Sequence, residues 1–450
     1  MPLPPSPPKS KIPKALELHT VAQSTLIFTE HTDIPVGPSA GPGMLSEVEA
    51  ERLCWLGEQL PSFCTRGYSS LKLSQHCGLV NLGERVLEIL PKVGEHEDPA
   101  KSRGVLLRML RACPDFTLQR QAAVGQAQCT APLLDLFIRA FIDETTALMK
   151  GGLLRRYLEQ EEDCLAVRGS ILLNRQLTTL ANRTDFIACR YDELTADNRW
   201  NRIIKAGLRA VRPWMHSAAL QRSWIELMAG FDEVTDIAEA RSLLSDLRYD
   251  RQGSRYRPAI EWVERILNLL TPSLRAGEKP APGLLFDMNR LFEAVVTQRM
   301  QSWAWDRGWN VEAQNSTRYL AEIIDSPRRK AFKVRPDLLF TQRSQTAAIA
   351  DAKWKHPTIS PRKFILPDQA DLYQLHAYAS VLRCARLALI YPWDESMAGA
   401  RETTFELPCS ENLHPNIAIL LLDVANDNLP FRLTSHFWRN SIAERCSIMT

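Results

Sequence analysis

The sequence has no C-x-x-C pair, no G-x-x-x-x-G-K-[ST] phosphate loop, no D-x-D-x-D-G calcium loop and no apolar run approaching the ~18 residues of a membrane span. Each absence removes a class of protein. The ten cysteines, at 54, 64, 77, 113, 129, 164, 189, 384, 409 and 446, show no cysteine or cysteine–histidine spacing that would build a zinc site or a disulfide frame, so they read as mostly buried reduced thiols. The Gly/Pro stretch at 37–43 has no lysine, so nucleoside triphosphate hydrolysis must come from elsewhere. Asp192, Glu193 and Asp197 lack the calcium spacing and read as helix entry and packing, with Asp197 as the N-cap of a helix. MPLPPSPPKSKIPK, at the start, puts prolines where a secretion signal needs an apolar segment, so a cytoplasmic, unanchored chain is expected, with no membrane partner. Charge of either sign is also nearly absent in net terms. A formal +3 on 450 residues means that nucleic-acid contact must be built from local basic patches, not a global field.

What remains is an ordinary globular composition, 45% hydrophobic and 24% charged, long enough for two or three domains at roughly 150 residues each. The expected fold class is α+β multidomain. Residues 1–14 form a Pro-rich, unfolded lead-in. Residues 15–98 form a small mixed or β unit, with a strand at 24–30, a helix at 46–60 and a tight turn at Leu82–Arg85 between two apolar segments. Residues 99–275 are mainly helical, with periodic runs at 131–160 and 197–215 around a strand-rich insert. Pro and Gly gather at 271–283 as a linker. The segment 284–450 then reads as helix 284–303, strand 310–315, a hairpin, helix 368–383, strand 387–393 and an apolar run 416–424, which suggests an α/β/α domain on a mixed sheet.

The hairpin RPDLLFTQRSQTAAIADAKWK carries the candidate chemistry. If it turns at Ser344, Asp337 and Asp351 stand seven residues to either side and so face each other. Opposed residues have Cβ atoms roughly 4.5–5.5 Å apart, and Lys353, two residues on, shares their face. Two carboxylates that close repel unless a cation lies between them, and Mg²⁺ suits oxygen ligands while keeping waters that can attack. A lysine beside it can assist the water and stabilise negative charge on a phosphate. The competing reading is an exposed edge ion pair worth about 0–1 kcal/mol. The apolar flanks VRPDLLF and AAIADAKWK weigh toward burial.

Pro336-Asp337, thirteen residues, then Asp351-Ala352-Lys353 resembles the PD-(D/E)xK nuclease superfamily. DLYQLHAYA (371–379) resembles the Gln-xxx-Tyr helix of its RecB-like branch, with Gln374 and Tyr378 one turn apart on one face, and LIYP (389–392) resembles the strand after it. Over residues 75–395 the chain resembles the McrC family, the nuclease subunits of McrBC 5-methylcytosine restriction systems. GLVNLGERVLEILPKVG, VRGSILLNRQL, CRYDELTADNRWNRIIKAGLRAV and LLFDMNRLFEAVV carry that likeness. The resemblance implies a PD-(D/E)xK endonuclease domain at 284–450 and Mg²⁺-dependent cleavage of double-stranded DNA. It also implies that an McrB-like AAA+ GTPase ring binds the GTP, reads the modified DNA, and is docked and stimulated by the N-terminal unit.

Within that resemblance Asp337 and Asp351 would hold metal, Lys353 would assist the water, and Glu293 and Gln374 would complete the catalytic set with Tyr378 as support. Glu293, however, projects off the face formed by Met288, Leu291, Phe292 and Val295, and a solvated glutamate is the alternative. Gln374 has a helix–sheet hydrogen bond as its alternative, and His376 is left out as an ordinary helical histidine. Arg328, Arg329, Lys330, Lys333 and Arg335 offer phosphate contacts or merely a solvated face. Arg199, Arg202, Lys205 and Arg209 could also face DNA or a partner. Two other functions stay open: a noncatalytic GTPase-activating adaptor, and a freestanding RecB-like repair nuclease.

Overall fold

The computed structural model describes residues 25–83, 85–94, 98–113, 131–180, 182–183, 185–238, 240–270, 283–305, 308–314, 318–324, 328–343, 345–401, 403–408 and 414–426. The Pro-rich lead-in lies outside the described residues. The apolar segments flanking the turn at 82–85 form antiparallel strands His76–Asn81 and Val86–Leu90. The turn is closed by Leu82 N–H donating to the Arg85 carbonyl at 2.9 Å. Strand Thr25–Thr29 adds in parallel to Val86–Leu90. Every residue of the two central strands is buried, including Glu88. That charge is met by Arg103 of helix Pro99–Ala112, whose Nε and Nη2 donate to Glu88 Oε1 and Oε2 at 2.5 and 3.2 Å. Helix Glu47–Gln59 opens on a capping box, with Ser46 N–H donating to Glu49 at 2.8 Å and Ser46 Oγ accepting from Glu49 N–H.

A fourth strand of this sheet comes from beyond the linker. Gly283–Asp287 pairs antiparallel with His76–Asn81. The expected helix over 284–303 therefore begins later, as Met288–Trp305. A short apolar run such as GLLFD fits strand or helix equally by periodicity, and tertiary pairing decided it. Gly78 makes the pairing possible: its φ is +138°, and a Cβ there would lie 2.0 Å from the Leu284 carbonyl oxygen.

In the middle region the periodic run 131–160 divides. Helix Leu133–Lys150 stops at Gly151-Gly152, and Arg156–Cys164 pairs antiparallel with Ile187–Thr195. Two adjacent glycines break the helix, and the alternating half-buried and exposed positions that follow suit a strand. Helix Arg199–Val211 is capped by Asn198, whose side chain accepts from Trp200 and Asn201 N–H, not by Asp197. Asp197 instead takes two hydrogen bonds from Arg202, at 2.6 and 2.8 Å, and others from Thr235. Lys205 and Arg209 pair with Asp236. Three of the four cations considered for DNA or partner contact in this helix thus have acidic partners within the chain.

The C-terminal sheet has six strands in the order Asn310–Ala313, Leu338–Gln342, Gln345–Ala352, Arg386–Pro392, Asn416–Leu422, Thr404–Glu406. The first pairings are antiparallel, the two from Gln345–Ala352 through Asn416–Leu422 parallel, and the last antiparallel, so the sheet is mixed. Strand alternation builds two cores. Ala348, Ala350 and Ala352 join helix Met288–Trp305 on one face, while Ile349, Leu387 and Leu389 join helix Gln369–Leu382 on the other. Among the described residues there is no disulfide, and no helix is long and apolar enough to cross a membrane.

Candidate active site

The hairpin reaches the expected register by an unexpected route. Its turn is the two-residue Arg343-Ser344, with Arg343 at φ +49° and Ser344 outside the described residues. A bulge between Phe340 and Thr341 then shifts the pairing by one residue, so that Leu338 faces Ala350. Asp337, at the bend just before its strand, lies beside the Asp351-Ala352 end of the partner strand. Its Oδ2 accepts from Ala352 N–H at 2.8 Å.

Asp351 is 1% exposed, and neither of its oxygens accepts a well-formed hydrogen bond. The Lys353 ammonium approaches it, 2.5 Å from Oδ2. Burial is the largest cause raising the Asp351 pKa, with the Lys353 charge opposing. Asp337 is pushed up to about 7, first by burial and then by the Asp351 charge. A buried carboxylate whose oxygens lack hydrogen-bond donors, beside a second, half-buried carboxylate, marks a place where positive charge is missing. Among the described residues no group of three or more His, Cys, Asp or Glu side chains is placed to hold an ion. Asp337 and Asp351 together offer carboxylate oxygens, the donor type that hard divalent cations take.

On the far side of Lys353 the polar chain continues. Its Nζ donates to Gln374 Oε1 at 2.9 Å, Gln374 Nε2 donates to Tyr378 Oη at 2.7 Å, and Tyr378 O–H donates to the Arg335 carbonyl at 3.0 Å. An ammonium can only donate, so it fixes which end of the amide faces it, and that in turn aims the tyrosine. Burial, then the Asp351 charge, raises the Tyr378 pKa to about 12. Asp351 and Lys353 project toward helix Gln369–Leu382 because they share the strand face of Ile349.

Glu293 is half-buried and not solvated as its projection suggested. Gln314 Nε2 donates to its Oε1, and its pKa is raised by burial most of all, with the Asp351 charge adding. Gln314 was not singled out by the sequence. It sits at φ +49°, donates its N–H to the Asp337 carbonyl at 2.9 Å, and accepts from Arg335 Nη2 at 2.6 Å. Arg335 thereby belongs to the site. Arg328, Arg329, Lys330 and Lys333 do not; they stand exposed on or beside strand Arg329–Lys333, which pairs with Tyr319–Ile323 as a separate two-stranded arm. His376 Nε2 lies 3.1 Å from the Pro408 carbonyl.

Two further groups flank the lysine. Lys355 Nζ lies 2.7 Å from Asp371, which also accepts from Tyr391 O–H at 3.1 Å. Trp354 points to the opposite face, where its Nε1 donates to Glu30 Oε1 at 2.9 Å. The K-W-K spacing hints at a division between faces, but nothing local identifies Glu30 as its partner.

Fold and site together define a multidomain α+β protein with a buried aspartate, a second beside it and an oriented lysine on a mixed sheet. The family model of McrBC 5-methylcytosine restriction system components matches residues 71–392, well over half of the chain, and the chain belongs to that family. Among solved structures it is similar to a chain of the refined half-complex from a tetradecameric assembly of Thermococcus gammatolerans McrB AAA+ hexamers with bound McrC. There the TM-score is 0.65 and the identity 18%, over 91% of this chain and 97% of that one, so the fold is shared. A chain of the cryo-EM structure of the Thermococcus gammatolerans McrBC complex also matches, at TM-score 0.45 and 20% identity over 62% of this chain and 87% of that one. No curated protein matches.

Proposed function

We propose that this chain is the DNA-cutting subunit of a modification-dependent, 5-methylcytosine-type restriction complex, a Mg²⁺-dependent PD-(D/E)xK endonuclease that works with an McrB-like AAA+ GTPase ring and stimulates it. The observation that carries this reading is the buried Asp351 carboxylate, neither oxygen accepting a well-formed hydrogen bond, beside half-buried Asp337 and a lysine held from both sides. Asp337 and Asp351 would hold Mg²⁺, which when bound supplies positive charge and an acidified water. Lys353, steadied between Asp351 and Gln374, donates hydrogen bonds to the attacking water or to a phosphate oxygen. Glu293 with Gln314 forms the third side, and Tyr378 keeps Gln374 in the orientation the lysine needs. The exposed arm bearing Arg328, Arg329, Lys330 and Lys333 supplies phosphate contacts that hold duplex DNA without reading its sequence. Family membership and the fold shared with a chain of an McrB–McrC assembly support the partner.

The test is cleavage of methylated duplex by the complex with the McrB-like GTPase. Asp351→Ala and Lys353→Ala should each abolish cutting while GTPase stimulation and complex formation persist. Wild-type cutting by either variant sinks the site. A wild-type complex that hydrolyses GTP but never cuts is the adaptor, and a chain that cuts alone with Mg²⁺ is the freestanding nuclease.

A further inference from the structure

Helix Met288–Trp305 presents a second polar face. About half a turn round from Glu293, at 3.6 residues per turn, it turns Val295, Gln298, Arg299 and Ser302 toward helix Pro99–Ala112. Between the two helices and the residues after strand Asn416–Leu422 lies a cavity of about 400 Å³; the described residues that line it include Arg108, Arg111 and Arg299 and no carboxylate. Arg299 is occupied: its Nη1 and Nη2 donate to the Asp423 and Asn426 carbonyls, each at 3.2 Å. Arg108 and Arg111 are not. Arg108 Nε and Arg111 Nη2 are sealed from solvent with no acceptor. A buried donor left unmatched is a cost that native proteins rarely carry without reason. The two arginines are also one helical turn apart, where like charges repel. Attraction of Arg111 to the helix C-terminus accounts for a cation there, but not for two sealed, unmatched guanidinium nitrogens.

We propose that this cavity is a phosphate-binding site, distinct from the acidic pair. A phosphate group offers several acceptor oxygens to the forks of Arg108 and Arg111 at once, with Gln298 and Ser302 as further donors. The volume admits a group of nucleotide size, and Val295 and Val424 give an apolar floor beside the cations. The phosphate is either that of a free nucleotide or one of a nucleic-acid backbone.

The experiment titrates the full-length chain, without Mg²⁺ and at low salt, with inorganic phosphate, guanosine monophosphate and a short duplex, read by calorimetry and thermal unfolding. Phosphate and at least one of the other two should bind the wild type, and Arg108→Gln/Arg111→Gln should weaken binding roughly tenfold or more, the scale of one or two charge-assisted bonds. Monophosphate tighter than inorganic phosphate identifies a nucleotide site; duplex binding that the double variant loses identifies a backbone contact. Ser302→Asp places a carboxylate in the cavity and should abolish phosphate binding while raising the ligand-free melting temperature. Equal affinity in the wild type and both variants, or no binding of any of the three probes by the wild type, overturns the proposal. Cleavage is not read, so the outcome is independent of the nuclease assignment.

Discussion

At Asp337, burial and the Asp351 charge lift the pKa from 3.8 to about 7. In the unfolded chain the same carboxyl ionises near its ordinary value. Between those two values the folded state holds a proton that the unfolded state has released, so stability falls as pH rises from about 4 to about 7 and stays low above. Asn at 337 keeps an oxygen to accept from Ala352 N–H and removes the charge. Asp337→Asn should therefore stabilise the metal-free protein at pH 8 by of order 2 kcal/mol, a few degrees in Tm, while abolishing cleavage. Thermal unfolding in chelator from pH 4 to 8 checks it: the variant should lose part of the wild type's downward slope. A variant less stable than wild type at pH 8 would show that the Asp337 charge is not a strain on the fold. A residue whose loss helps folding and ends cutting is what a functional site predicts.

Strand Gly283–Asp287 depends on one residue of its neighbour. A methyl group on Gly78 would collide with the Leu284 carbonyl, and φ +138° is closed to side chains. Gly78→Ala should cost about 2–4 kcal/mol in urea unfolding, whereas Gly308→Ala, at φ +68° with open space around it, should cost about 1 kcal/mol. Similar costs at both positions would mean that the strand pairing yields easily. This strand was also the element the sequence concealed, because GLLFD has no period and its partner lies about 200 residues upstream. The acidic pair, Lys353, Gln374 and Tyr378 were legible because strand alternation and i,i+4 helix spacing are local rules. The hairpin register came out right only because the bulge at Phe340/Thr341 compensates for a turn centred half a residue early. Gln314 and Glu30 were not legible, since a polar residue in a loop or at a strand end carries no mark of a partner far away in sequence. For Glu293 the solvated alternative stayed open because helical projection knows the apolar stripe but not the strand that packs beside it.

Across the whole molecule, the first strand and the site meet at Glu30 and Trp354, 324 residues apart. Glu30 is 2% exposed; its Oε1 accepts from Trp354 Nε1 and from Lys92 N–H at 3.0 Å, while Oε2 is sealed without a hydrogen-bond donor. Burial above all raises its pKa to about 7. Trp354 also packs on Phe292, with ring centroids 5.4 Å apart, and follows directly on Lys353. The N-terminal unit thus grips the end of the strand that carries the lysine, and a partner docked on that unit would act on the lysine through this grip. Trp354→Phe keeps the ring packing but withdraws a donor from a buried carboxylate, and should cost about 1–3 kcal/mol at pH 8. With the partner GTPase present it should lower kcat for cleavage while leaving KM for DNA unchanged, since it moves the lysine and not a DNA contact. Adding Glu30→Gln removes the charge that was left unmatched, so the double variant should regain most of the stability without regaining the rate. If the rate returns together with the stability, Trp354 matters only for folding; if Trp354→Phe cuts at the wild-type rate, the junction does not position Lys353.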